Sequence, residues 1–179
     1  MKKPLLLTGL AALMLSLPGL AAVGGTATPA SPLSALSAYW GQWTGQGKIL
    51  DSPFGKAGDA GGETNCNWSP NHGFLVCDQK THSPAGASND LSIYTYNQKD
   101  HAYHFFGLSR NSGNVRSPKL TIEGNRWTYL SEFTGSRKHV RIRTINVFTS
   151  PTTVTYKTEY SVDGAPWKLM GSGSSHRVK

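Results

Sequence analysis

From Trp40 to the end, the chain is written almost entirely in short stretches whose apolar and polar residues alternate with a period of two. Trp40, Trp43, Thr44 and Ile49 sit in a glycine-rich first stretch, and Glu63–Trp68 and Phe74–Thr81 form two arms around Pro70-Asn71-His72-Gly73. Leu91–Tyr96, His101–Phe105, Val115–Ile122, Trp127–Phe133, Val140–Phe148, Thr152–Val162 and Trp167 to His176 follow. Between them lie turn residues: Asn97–Asp100, Asn111–Asn114, Glu123-Gly124-Asn125, Thr134–Ser136, Ser150-Pro151 and Asp163-Gly164-Ala165. Alternation bounded by Gly, Asn, Asp, Ser and Pro is the mark of strands joined by tight turns. Helical spacing is confined to Leu33, Leu36 and Trp40, where Ser31-Pro32 offers a cap and first turn.

Nine or ten sequential strands in one domain must curl, either into a closed meander barrel or into a two-sheet sandwich. A sandwich needs a longer return connection, for which only Asp51–Gly62 or Ser83–Asn89 would serve. The short links elsewhere favour the barrel. The expectation is therefore all-β: an antiparallel meander barrel of about nine to ten strands behind a short N-terminal helix. Individual strands do not separate cleanly into an apolar and a polar face. Trp127/Tyr129/Ser131/Phe133 and Val140/Ile142/Thr144/Asn146/Phe148 both mix aromatic or aliphatic residues with hydroxyls and amides. Such a wall suits a barrel that holds a ligand, or one that its own aromatic rings fill. Tyr94, Tyr96, Tyr103, Phe105, Tyr129 and Tyr156 are the candidate wall residues, with the inward parity left open.

The two cysteines fall on the arms of the second hairpin. If Ser69 pairs with Phe74 across the loop, Trp68 faces Leu75, Asn67 faces Val76 and Cys66 stands directly opposite Cys77. Opposed positions of an antiparallel pair have the separation a cross-strand disulfide requires. The spacing lacks the tight Cys-x-x-Cys of a redox pair, so the bond is read as structural.

A disulfide implies an oxidising compartment, and the N-terminus agrees. Lys2 and Lys3 precede the apolar run Leu5–Leu20, and Gly19-Leu20-Ala21-Ala22 supplies small residues for a signal peptidase. Residues 1–22 are read as a signal peptide cleaved after Ala21 or Ala22, residues 23–32 as a flexible linker, and residues 33–179 as the barrel domain. The expected location is the bacterial periplasm or the exterior, with no transmembrane segment after cleavage. Losing the leader lowers the formal charge from +8 to +6. That excess aids solubility without naming nucleic acid as a partner. The densest basic run, Arg137–Arg143, alternates as a solvated strand face, and nucleic acid is not expected.

The segment Gly41-Gln42-Trp43-Thr44-Gly45-Gln46-Gly47, after a short helix and before a meander, resembles the start of lipocalin-like (calycin) barrels. The layout is similar to an uncharacterised bacterial family of such domains, known only as a domain of unknown function. The resemblance implies a barrel in which Trp43 closes the floor beneath the helix. A more distant resemblance, to nitrobindin-type barrels, implies haem with an axial histidine near the C-terminus, for which His176 is the position to test. The tiny residues Gly171–Ser175 and the chain end after Lys179 depart from that pattern.

Catalytic chemistry has a thin basis. The acids inside expected strands are Glu63, Asp78, Glu132 and Glu159, and Glu132 beside Tyr129 or His104 is the arrangement that burial would make a base. No nucleophile elbow or phosphate loop is present. The histidines follow no standard zinc spacing, and no metal or cofactor is expected. The leading functional expectation is a non-catalytic barrel whose interior, including Trp43, receives a small hydrophobic or amphipathic molecule. An enzyme using the same cavity, a haem barrel and a protein-interaction module are the alternatives.

Overall fold

The structure, a computed structural model, describes residues 31–179. The expected signal peptide and all but the end of the expected linker lie outside the described residues. The chain begins with one α-helical turn, α1 (Pro32–Ala35), which tightens into a 3-10 turn over Leu36–Tyr39. Ser31 caps it through its backbone: its carbonyl accepts from the Ser34 amide at 2.7 Å and the Ser34 hydroxyl at 2.6 Å. Eleven strands follow: β1 (Gly41–Ile49), β2 (Gly58–Trp68), β3 (Leu75–Ser83), β4 (Gly86–Asn97), β5 (Ala102–Ser109), β6 (Val115–Arg116), β7 (Lys119–Glu123), β8 (Arg126–Gly135), β9 (Lys138–Ser150), β10 (Thr153–Val162) and β11 (Lys168–Arg177).

Every pairing is antiparallel between neighbours, and β11 returns to β1 over Trp43↔Arg177 to Ile49↔Gly171, so the sheet closes. The barrel expectation holds. The two stretches that would have allowed a sandwich are absorbed into strands: β2 starts at Gly58 opposite Ile49, and β4 starts at Gly86 opposite Ser83. The expected strand Val115–Ile122 is broken at Ser117-Pro118. Proline lacks the amide a ladder needs, so β6 and β7 share one position in the wall.

The hairpin of β2 and β3 has the register read from the sequence, Trp68↔Leu75, Asn67↔Val76 and Cys66↔Cys77, with the Ser69 amide donating to the Phe74 carbonyl at 2.8 Å. The disulfide is formed, with the two Cα atoms 4.0 Å apart.

Closure decides which parity faces in. Trp43, Cys66, Leu75, Cys77, Tyr94, Leu120, Trp127, Phe148 and Val154 turn inward and form one core with Leu36. Each large side chain removed from water in this way contributes about 1.5–3 kcal/mol. The core sits at one end of the barrel, beneath α1 and the 3-10 turn. Tyr39 is the plug: its ring meets Trp43, Tyr94, Trp127 and Phe148 at centroid distances of 5.9, 5.9, 5.0 and 5.1 Å. Three side chains tie the carbonyls of the helical segment to the barrel. The Trp43 indole donates to the Tyr39 carbonyl at 2.9 Å, the Tyr103 hydroxyl to the Pro32 carbonyl at 2.9 Å, and Arg177 to the Ala38 carbonyl at 2.7 Å. Arg177 also lies over the Trp43 ring, 4.8 Å from its centroid.

Candidate ligand cavity

Beyond the aromatic plug the same inward parity changes character. The strands continue as Gly45 and Gly47 on β1, Gly62 and Thr64 on β2, Gln79 and Thr81 on β3, and Ser92 on β4. Ser131, Thr144, Thr158, Gly173 and Ser175 complete the ring. Small and hydroxylated residues cannot fill a barrel of this girth, and a hollow remains. It has an aromatic lobe of about 940 Å³ lined by Tyr94, Phe105, Tyr129, Phe133 and Ile142. A second, glycine-rich lobe of about 530 Å³ lies against Trp43, Gly45, Gly62, Tyr156 and Ser175. Tyr39, Gln79, Arg116, Asn146 and Thr158 border both lobes. Gly47 and Gly173 make room for Tyr156, since a Cβ on either would collide with its hydroxyl.

Polar groups around the chamber fall into two sets. Some are satisfied in pairs: the Ser92 hydroxyl donates to Gln79 at 3.0 Å, and the Thr144 and Thr158 hydroxyls meet at 3.0 Å. At the inner end the accounts do not close. The Asn146 amide nitrogen donates to the Tyr39 hydroxyl, but the Asn146 Oδ1 is buried with no partner, while the buried Tyr129 hydroxyl interacts with those of Tyr94 and Tyr39. A buried polar atom left unpaired costs about 1–3 kcal/mol, and Arg177 Nε at the plugged end is another such atom. Burial, and then the neighbouring Tyr94 and Tyr39, push the Tyr129 phenol well above its ordinary value. Burial likewise raises Tyr94 to about 12, and burial with Tyr94 beside it raises Tyr39 further. All three remain protonated phenols able to donate.

The chamber also has a side opening. The β7–β8 ladder ends at Lys119↔Leu130, β5 meets β7 only at Tyr103↔Leu120, and β6 pairs with β5 at Gly107↔Arg116 and Leu108↔Val115. β8 beyond Leu130 therefore has no partner on that side. The resulting gap is framed by Arg116, Ser117, Pro118, Ser131 and Phe133, all of which border the aromatic lobe. Arg116 faces Asp90 at 3.7 Å, a Coulombic contact rather than a hydrogen bond. The Asp90 carboxylate takes the Ser88 hydroxyl at 3.0 Å.

The residues singled out from the sequence divide by position. Tyr94, Phe105 and Tyr129 wall the aromatic lobe, and Trp43 and Tyr156 border the second. Tyr96 and Tyr103 lie elsewhere: they pack on each other at 5.1 Å, and Tyr103 reaches Pro32 at the plugged end. The catalytic pair does not assemble. Glu132 lies on the outer face of β8, bonded to Arg141 at 2.7 Å, and His104 lies on the outer face of β5, bonded to Asp100 at 2.8 Å. Glu63 and Asp78 also face out, each with the parity opposite to its strand's buried residues, and Glu159 is buried on the outer face of β10, opposite Arg143 and bonded to Arg143 and Lys157. Among the described strands, Asp90 is the one carboxylate with inward parity.

His176 does not fit as a haem ligand. It sits opposite Thr44 and Thr153 on the outer face, with its Nδ1 3.2 Å from the Thr153 hydroxyl, while the inward place beside it belongs to Arg177. Tyr39, Asn146 and Arg116 were not singled out beforehand. The mixed β9 pattern contained the only signal for Asn146. Tyr39 stands beside the helical positions Leu33, Leu36 and Trp40 without sharing their spacing, and nothing local marks Arg116 as a residue of the chamber.

No family model matches the sequence, and no curated protein matches it by sequence. Solved structures do match in fold. The crystal structure of Rv2717c from M. tuberculosis aligns with a TM-score of 0.56 at 14% identity, covering 83% of this chain and 99% of that one. EF1p2_mFAP2b bound to DFHBI aligns at 0.44 and 11% identity, covering 82% and 99% of the two chains. The S-type phycobiliprotein lyase CPES from Guillardia theta aligns at 0.49 and 9%, covering 82% and 92%. The first likeness shows a shared fold, a closed antiparallel barrel of the lipocalin-like (calycin) kind.

Proposed function

We propose that this chain is exported to the periplasm or beyond, loses residues 1–22, and binds a small, partly apolar molecule inside its barrel without transforming it. The observation that carries the reading is an aromatic-walled hollow of about 940 Å³ bordered by Tyr94, Phe105, Tyr129 and Phe133. Ligand sites are commonly apolar hollows of about 300–1,000 Å³ with a few convergent polar groups. A packed interior would have favoured a protein-interaction module. An enzyme would need an acid or base at the inner end, and the carboxylates of β2, β3, β8 and β10 face outward.

Native mass spectrometry of gently purified protein tests the proposal. The expected spectrum shows a species heavier than the chain that begins at Ala22 or Val23, and mild activation strips the extra mass. Finding only the bare chain, together with no uptake of dodecanoate or 1-anilinonaphthalene-8-sulfonate by the purified protein, would sink the reading.

A further inference from the structure

Alternate connections of an antiparallel meander lie at one end of its barrel, so residues 50–57, 84–85, 110–114, 136–137 and 163–167 gather at the end opposite the plug. On or beside these connections Leu50, Phe54, Val115, Phe133 and Leu169 are each at least 40% exposed. Scattered singly, exposed apolar side chains mean little. Here they continue the chamber: Val115 and Phe133 also line the aromatic lobe, and Leu50 follows Ile49 of the glycine-rich lobe. The apolar surface therefore runs from the chamber wall over its edge, and such a surface marks a place where something apolar is met.

The same rim carries charge of mainly one sign. Lys56, Arg137, Lys138 and Lys168 are exposed, and among the described residues none of them pairs with a carboxylate. The acids of these connections are Asp51 and Asp163, each accepting a backbone amide, from Ala57 and His139, at 2.8 Å. The plugged end also exposes Trp40 and Phe74. Its charges are nearer balance, with Lys99 followed by Asp100 and Arg126 facing Glu123, leaving Lys179. The Tyr39 plug stands between that end and the chamber. Apolar side chains set among unpaired cations around an opening suit a bilayer surface: the apolar groups enter the headgroup boundary and the cations meet lipid phosphates.

We infer that the open rim docks on membranes containing anionic phospholipid, with the mouth of the chamber facing the lipid. That arrangement lets an amphipathic guest pass between bilayer and chamber without crossing water. The inference goes beyond the small-molecule binding proposed above, and its failure would leave that reading standing.

Flotation of the purified exported protein with vesicles tests it. Vesicles of phosphatidylethanolamine with about one third phosphatidylglycerol should bind it about ten-fold more tightly than phosphatidylcholine vesicles, and high salt should remove most of that difference. Arg137→Glu with Lys138→Glu should weaken binding about ten-fold, and Lys56→Glu with Lys168→Glu should do the same from other connections of the rim. Leu50→Ser with Phe54→Ser should weaken it about three-fold or more. At the plugged end, Trp40→Ser with Phe74→Ser and Lys99→Gln with Arg126→Gln should change it less than about two-fold. Each variant is compared at matching circular dichroism. Binding to neither vesicle, equal binding to both, or binding that survives both charge-reversed pairs overturns the inference. So does a loss that the plugged-end variants match, which would mean unoriented adhesion of a basic protein. Native mass spectrometry of the same preparation reads the chamber separately, so a rim that does not dock and a chamber that does not bind are told apart.

Discussion

The two ends of this barrel are built from the same strands and do opposite things. At the plugged end the inward positions are Trp43, Trp127, Phe148 and Tyr39, ring against ring, and the helical segment is bound to three strands by Trp43, Tyr103 and Arg177. A few residues along the same strands, the inward positions become Gly47, Thr81, Ser131, Thr144 and Gly173, and the interior is hollow. Stability is concentrated where side chains fill space, and recognition where they do not. A barrel can afford that asymmetry because the ladder, rather than the filling, keeps its open half closed.

Substitutions that separate the ends test this division, and the largest effect belongs to the plug. Trp43→Ala removes a buried indole and its bond to Tyr39. Equilibrium denaturation should show a loss of about 3–5 kcal/mol. A loss below 1 kcal/mol would mean the plugged end does not carry the fold.

Next comes the disulfide, which belongs to the same packed region. The double substitution Cys66→Ser, Cys77→Ser opens a loop with a sequence separation of 11 residues. It should cost about 3 kcal/mol through the unfolded chain, read as a shift of the denaturation midpoint.

The open half should respond less. Tyr129→Phe deletes a buried hydroxyl that interacts with those of Tyr94 and Tyr39, and should cost at most about 1 kcal/mol. A loss as large as that of Trp43→Ala would show that the open half carries the fold as well.

The smallest effect lies on the outer wall, away from both ends. Burial alone would raise the Glu159 carboxyl, but Lys157 and Arg143, bonded at 2.8 and 2.7 Å, outweigh it and hold the group below its ordinary 4.5. A lowered folded value means its stabilising effect is full above the ordinary value and is lost as pH falls through the folded one. Glu159→Gln should therefore flatten part of the acid limb of stability against pH and leave ligand binding untouched. An unchanged acid limb would show the pairing is too solvated to matter.

Much of the plugged end was legible in the residues. The Gly-x-Trp strand behind a short helical turn led to Trp43 as a floor, and the hairpin register led to Cys66 opposite Cys77. Both are local: a turn of fixed length sets which residues face each other, and a side-chain period of two carries that pairing along the strands. The cavity was legible only as composition. Tyr94, Phe105, Tyr129 and Tyr156 were found as aromatic wall residues, while Tyr96 and Tyr103, identical in pattern, stand at the other end. Glu132 and His104 had the chemistry of a catalytic pair but the wrong parity.

What the chain alone determined is its alternation, its turns and its closed hairpin, because each depends on residues near one another in sequence. Which face of each strand looks inward had to wait for the ring to close between β1 and β11. Closure also brought Tyr39 to Asn146 across 107 positions and carried Arg116 to the gap left by Ser117-Pro118. A pattern of period two defines two faces but not which is the inside. That distinction comes only from the curvature of the completed sheet.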